Sequence, residues 1–323
     1  MNPYIGHEQQ LYGVTEVRLT GGKGDGMRML HVRNAAGLSF VISLDRCADI
    51  TQLSFKGDNL GYFAPCGYVA PAYYDDRNSG FFKNFTAGFF ATCGLNNVGP
   101  ICFDEGVELP THGSLSNVPC DNSYHFIKDD AIHIKATMRD ARMFSYQLIL
   151  EREYICPLYE NAIYLHDTIY NIGSRETPVE IMYHCNMGYP LLSEKAEVSI
   201  PSEKVEARNE HAASGLDRHL IMEKPQRGYK EMCYFHTFTG TPTVSIYNEE
   251  IRKGLEISYN AEELPCFTQW KMMGEYDYAL GLEPANCLPL GRDVMRERGM
   301  LEYLAPGEEK ETHLTFRFFE KEY

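Results

Sequence analysis

"YHFIKDDAIHIKATMRD", residues 124–140, reads as two β-strands folded back on one another, with Asp129-Asp130 at the turn. Aspartate suits such a turn because its short polar side chain tolerates left-handed backbone. The next stretch, "FSYQLILEREYICPLYENAIYLHDTIYNIGS" (144–174), supplies two more strands around Pro157. Strand signals then persist through "VEIMYHCNMGYPLL" (179–192), "TPTVSIYNEE" (241–250) and "ETHLTFRFFE" (311–320). Turn signals at short intervals between strands of this kind point to a sandwich or barrel.

Working outward, the N-terminal third also alternates, in "VTEVRLTGG", "MRMLHVRN" and "LSFVISL", with glycine-rich turns between. Residues 61–110 differ: they are rich in glycine and aromatics and show little periodicity. A long irregular stretch inside a domain is usually functional. Its aromatic-rich part, 61–90, is expected either over a cleft or at a subunit contact. A helical pattern is expected at 202–220, and "LGRDVMRERG" (290–299) as a short helical turn. The economical reading is one all-β domain over 1–323, with its core at about 30–320. Fifteen or more strands imply two packed antiparallel sheets, a large β-sandwich, rather than a small barrel.

The chain has 323 residues, with 30 Lys+Arg against 45 Asp+Glu, a net charge of −15. That balance disfavours nucleic acid and anionic membrane as partners. No apolar run approaches the roughly 18–20 residues of a membrane span. The opening "MNPYIGHEQQ" shows no basic stretch followed by an apolar one, so no export signal is expected. The ten cysteines form no C-x-x-C pair and read as reduced thiols in a cytoplasmic protein.

Four stretches hold residues suited to chemistry. In "DEGVELPTHGSLSN" (104–117), His112 precedes Gly113, which allows close approach of backbone and ligand. In "MYHCNMGYPLL" (182–192), Val179, Ile181 and Tyr183 share one strand face, and Glu180, Met182 and His184 the other. The strand is expected to stop at Cys185, leaving His184 and Asn186 at the mouth of a site. In "QWKMMGEYDYALGLEPANCLPLGR" (269–292), Trp270 is the only tryptophan and Glu283 closes an apolar run before Pro284. Glu283 there is either paired, with Arg292 the nearest partner, or placed as a base. In "SLDRCADI" (43–50), Arg46 stands between Asp45 and Asp49, suited to an internal ion pair or to a substrate oxygen. For each histidine the bland alternative is a hydrogen-bonded core residue.

Taken in order, these segments resemble the aldose 1-epimerase, or galactose mutarotase-like, superfamily. "ELPTHGSLSN" is similar to its His-Gly segment, "MYHCNMGYPLL" to its second histidine segment, and "YALGLEPANCLP" to its late glutamate segment. "YLAPGEEKETHLTFRF" resembles its closing turn and strand. "GFFATCGLNNVGP", "QWKMMGEYDYALGLEPAN" and "LDRCADI" look like a divergent bacterial branch without assigned function (DUF4432-like).

The resemblance implies a supersandwich with a sugar cleft on one face. It implies Glu283 as general base, His184 as general acid and His112 as stabiliser of the ring oxygen. Arg46, Asn96, Asn97, Asn186, Trp270, Lys271, Asn286 and Arg292 are candidate sugar contacts, as is Lys83. The expected partner is a small sugar or sugar derivative, with self-association left open. No redox cofactor is implied; a His₂Glu metal set at His112, His184 and Glu283 is the variant. Anomer exchange leads, with another sugar isomerase, a lyase on an oxidised sugar, or a non-catalytic sugar binder as alternatives. The family's usual Pro-Tyr-Phe after the second histidine is replaced here by Cys185-Asn186-Met187-Gly188.

Overall fold

The Asp129-Asp130 hairpin forms between Cys120–Lys128 and Ala131–Ala141, with both aspartates in left-handed backbone, φ 51° and 57°. Left-handed conformation at both central residues matches the twist of the paired strands. The structure, a computed structural model, describes residues 3–321. The hairpin starts an eight-stranded antiparallel sheet that continues through Gln147–Pro157 and Ala162–Asn171. The last strand, Glu309–Glu320, enters between Ala162–Asn171 and Lys253–Tyr259, and so lies mid-sheet.

A seven-stranded sheet packs with it. Its centre is the strand Thr177–Met187, flanked by Tyr278–Ala285 and Phe90–Leu95. Beyond Tyr278–Ala285 come Cys266–Met273, Met232–Thr237 and Lys204–Ala207. The N-terminal third adds a five-stranded meander, Gly13–Arg18 to Asp58–Asn59, which is a third sheet beyond the two expected. One apolar cluster draws on all three: Phe40 and Ile50 from the meander, Leu150 and Phe316 from the eight-stranded sheet, Phe90 and Ile181 from the seven-stranded one.

The sheets also meet at a single buried cation. Arg152 donates to Asp167 and Asp49, each at 2.7 Å, to Thr92 Oγ1 at 2.8 Å and to the Cys47 carbonyl. Tyr183 Oη donates to Asp167 at 2.7 Å, tying the central strand to the same group. A guanidinium with all its neighbours in place satisfies both carboxylates; removing it would leave two buried charges unpaired.

Two local expectations are corrected. The strand through His184 does not stop at Cys185 but runs to Met187, where Gly188 passes within 2.6 Å (Cβ position) of the Gly61 carbonyl. The 202–220 segment is a strand Lys204–Ala207, one helical turn Glu210–Ala213 capped by Asn209, and a 3₁₀ turn. Pairing of Lys204–Ala207 with Met232–Thr237 overrides the helical pattern. The short helix expected near 290–299 spans Arg292–Glu297. Among the described residues no helix is long and apolar enough to cross a membrane.

Candidate active site

Register across the seven-stranded sheet brings the chemistry together. His184 lies opposite Ala91 on one side, and the ladder from Met182↔Ala285 to Cys185↔Leu282 sets it beside Glu283 on the other. Glu283 is paired in turn with Thr268, and two residues along the sheet Gly281 is opposite Trp270, which is opposite Cys233. Directly opposed residues in an antiparallel sheet present their side chains on one face. His184, Glu283, Thr268, Trp270 and Cys233 therefore line one wall of a cavity of about 760 Å³. Glu283 is not at a strand end: Tyr278–Ala285 carries it inside the ladder. Pro284 lacks the donor that a full ladder would need there, consistent with the gap in pairing.

Gly281 decides how Glu283 sits. A Cβ at 281 would fall 2.2 Å from Glu283 Oε1 and 2.9 Å from Trp270 Cβ. The carboxyl thus folds back over its own strand into the space that glycine leaves. There Oε1 comes within 3.2 Å of His184 Nε2. The geometry is a close contact without a well-aligned hydrogen bond, and Glu283 Oε1 and His184 Nδ1 are otherwise unpartnered.

His112 reaches the same cavity from a loop. Its backbone is left-handed (φ 55°), as is that of Gly113 (φ 72°), whose Cβ would lie 2.2 Å from the Gly94 carbonyl. The His112 N–H donates to Gly99 O at 2.8 Å, and its carbonyl accepts from Gly94 N at 3.0 Å. Gly99 N–H points to His112 Nδ1 at 3.4 Å, which leaves the proton of the neutral ring on Nε2. The His112 and His184 rings lie edge to face, centroids 5.9 Å apart. Phe81 packs on His112, and Phe85 and Trp270 pack on His184. These aromatics come from the irregular 61–110 stretch and the sheet, so that stretch covers the cavity.

Burial dominates the electrostatics. It pushes His112 down to about 3, with His184 and Arg208 adding to the effect. It pushes His184 down to about 4 against the opposing pull of Asn186 and its own carbonyl. It holds Glu283 well above the usual carboxylate range; Glu231 adds to this and Arg208 opposes it. Both rings are therefore neutral near pH 7, and the raised Glu283 pKa favours one proton on the His184–Glu283 pair.

Among the further residues facing this cavity that reading the sequence did not single out are Arg208 and Glu231. Arg208 Nη2 and Trp270 Nε1 both donate to Glu231, the latter at 2.8 Å. Burial would raise Glu231, but those two hydrogen bonds together with the charges of Arg208 and His184 hold it below its ordinary value. Neither sits in a motif. Their only signal is alternation: Glu231 is two residues before Cys233, on the same face.

The remaining candidate contacts lie elsewhere, and the buried ones have found protein partners, as buried polar groups must. Arg46 donates to the Ser116 and Val69 carbonyls and pairs with neither flanking aspartate; Asp45 binds Arg28 and Asp49 binds Arg152. Asn96 binds Ser114 and Tyr146. Asn97 donates to the Pro100 and Pro110 carbonyls, bracing the His112 loop from behind. Asn186 donates to the His184 carbonyl at 2.7 Å. Lys271 points to the opposite sheet face and binds Glu223 at 2.7 Å. Asn286 bridges Ile181 and Val179. Arg292 pairs with Asp104 at 2.7 Å, not with Glu283. Lys83 is exposed on the Phe81–Asn84 turn. None of these eight lines the cavity, whereas His112, His184, Trp270 and Glu283 do.

Among the described residues, the His/Asp/Glu/Cys group whose ligand atoms lie within 4.8 Å of one another is His166, Glu311 and His313, on the eight-stranded sheet. His112, His184 and Glu283 do not close to that spacing.

A family model described as "Domain of unknown function (DUF4432)" matches residues 24–318. No curated protein matches the chain by sequence. Solved structures share the fold. A "putative aldose 1-epimerase" from Klebsiella pneumoniae is 22% identical with a TM-score of 0.90, over 97% of this chain and 86% of that one. A galactose mutarotase-like protein from Clostridium acetobutylicum is 13% identical with a TM-score of 0.69, over 97% and 100%. Galactose 1-epimerase from Lactobacillus acidophilus is 14% identical with a TM-score of 0.66, over 96% and 100%.

Proposed function

The chain belongs to the DUF4432 family, and with that and its galactose mutarotase-like fold as premise we propose that it is a carbohydrate isomerase exchanging the anomers of an aldose. The observation that carries this reading is the 3.2 Å approach of His184 Nε2 to Glu283 Oε1 in a buried cavity, with His112 and Trp270 beside them.

Opening a hemiacetal requires the anomeric hydroxyl to lose a proton as the ring oxygen gains one. A pair holding one proton serves both needs. At rest the pair's proton is on Glu283; in the reacting arrangement it passes to His184, so that Glu283 is the carboxylate that accepts from the O1 hydroxyl and the His184 imidazolium donates to the ring oxygen as the C1–O5 bond breaks. The aldehyde then rotates about C1–C2. Reclosure returns the proton from O5 to His184 and the proton from Glu283 to the new O1, so nothing is consumed. His112 presents Nε2–H to the oxygen on which charge develops. Trp270 supplies an apolar face for the C–H side of the ring, its N–H held by Glu231. Each well-placed acid or base is worth about 10²–10⁴-fold in rate.

The test is exchange NMR of anomer interconversion over a panel of free aldoses, wild type beside Glu283→Gln. Acceleration that vanishes in the folded variant is expected. No acceleration on any aldose would overturn the reading, and the same panel extended to oxidised sugars would then address lyase chemistry. Sugar binding without turnover would indicate a binding protein.

A further inference from the structure

A second cavity, of about 550 Å³, opens beside the first, between the strands Leu38–Ser43 and Asp49–Phe55 of the N-terminal meander and the turns at Gly188 and Tyr276. Its walls are unlike the surface of an acidic protein. None of its lining residues is charged, although 23% of the chain is. Five are aromatic: Tyr62, Phe63, Tyr189, Tyr276 and Tyr278. Tyr276 is 91% exposed and left-handed (φ 70°), and Tyr189 is 73% exposed. Large aromatic faces held out in water at the rim of a cavity mark a binding surface rather than a core. The polar part is made of amides and hydroxyls, Ser39, Gln52, Ser54 and Asn59. Aromatic faces with uncharged donors and acceptors are what a neutral polyol needs, C–H faces against rings and hydroxyls against amides.

The two cavities share Tyr62, which lines both. Its hydroxyl donates to Asp277 Oδ1 at 3.4 Å. Asp277 lines the first cavity, while its neighbours Tyr276 and Tyr278 line the second. Tyr62 is thus a wall common to both, and the uncharged groove adjoins the His184–Glu283 cavity. Each volume falls within the range of about 300–1,000 Å³ usual for a small-molecule site.

From this adjacency and the groove's uncharged, aromatic walls we propose that the groove is a second saccharide subsite, and that the substrate is an uncharged reducing oligosaccharide. Its reducing unit occupies the His184–Glu283 cavity and the next unit lies against Tyr276, Tyr189 and Gln52. This rests on the anomer-exchange reading for the first cavity only; the groove is argued from its own walls.

Saturation-transfer NMR on the wild type, with cellobiose, maltose and lactose beside glucose and galactose, reads binding without needing turnover, since anomer exchange consumes no sugar. Transfer to the non-reducing ring of at least one disaccharide is expected, with a lower Kd than for either monosaccharide. Tyr276→Ala, and separately Gln52→Ala, should each lower the disaccharide-to-monosaccharide preference, about tenfold for loss of one aromatic face. Thermal melting checks that both variants are folded. No transfer to any non-reducing ring, or an unchanged preference in both folded variants, overturns the groove. Disaccharide binding that depends on Tyr276 without any anomer exchange overturns the mutarotase reading and leaves the groove standing. Exchange on monosaccharides with no disaccharide preference does the reverse.

Discussion

Gly281→Ala is the sharpest probe of the active geometry, because it adds one methyl and no charge. Gly281 is opposite Trp270, and its backbone does not occupy the left-handed region, so alanine is permitted there. The new Cβ would stand 2.2 Å from Glu283 Oε1 and 2.9 Å from Trp270 Cβ. Ordinary carbon–oxygen contact is more than 3 Å, so the carboxyl must shift by about 1 Å, and a misplacement of that size costs on the order of 10²-fold in rate. The 3.2 Å approach to His184 is the contact that shift breaks. In free energy, stability moves by a similar amount or less. Reduced backbone freedom contributes about 0.4–1 kcal/mol in favour, against about 1–3 kcal/mol for overpacking. The assay is anomer-exchange NMR on the best aldose, with thermal unfolding alongside. The expectation is a fall of about two orders of magnitude in kcat with a protein still folded at the assay temperature, approaching the deficit of Glu283→Gln. A folded Gly281→Ala protein with wild-type exchange would refute the claim that the carboxyl's position over Gly281 matters.

Two further outcomes follow from the same structure. The pH profile of kcat/KM, corrected for uncatalysed mutarotation, should be flat near neutrality. It should fall on the acid side near pH 4, where His184 takes a second proton onto the pair and Glu283 can no longer accept. It should fall on the alkaline side above the usual carboxylate range, where the pair loses its proton and no acid remains; an acid limb near pH 6.5 would instead indicate an exposed, unperturbed histidine. Arg152→Met should lower stability by about 3–5 kcal/mol in urea unfolding, since Asp49 and Asp167 would be left buried without their shared partner. A loss below about 1 kcal/mol, the worth of an exposed pair, would show that this network does not hold the sheets together.

Much of this molecule follows from patterns within a few residues of one another. Period-2 alternation predicts the all-β class, and Asp129-Asp130 predicts its hairpin, because strand faces and tight turns are set by local backbone preferences. The same alternation places His184 on the face opposite Ile181 and Tyr183. The resemblance to the mutarotase-like superfamily marks His112, His184 and Glu283, whose segments are short and contiguous. What lies between strands in space is not written this way. Arg208 and Glu231 enter the cavity through pairing register, Gly281 is needed because a carboxyl two residues on folds over it, and the meander becomes a third sheet. Polar residues with attractive chemistry on paper, Arg46, Lys271, Asn286 and Arg292 among them, turn out to satisfy buried carbonyls and carboxylates. A side chain's type states which bonds it can make; only the tertiary structure decides which partner reaches it first, because register and burial are properties of the whole sheet and not of the segment.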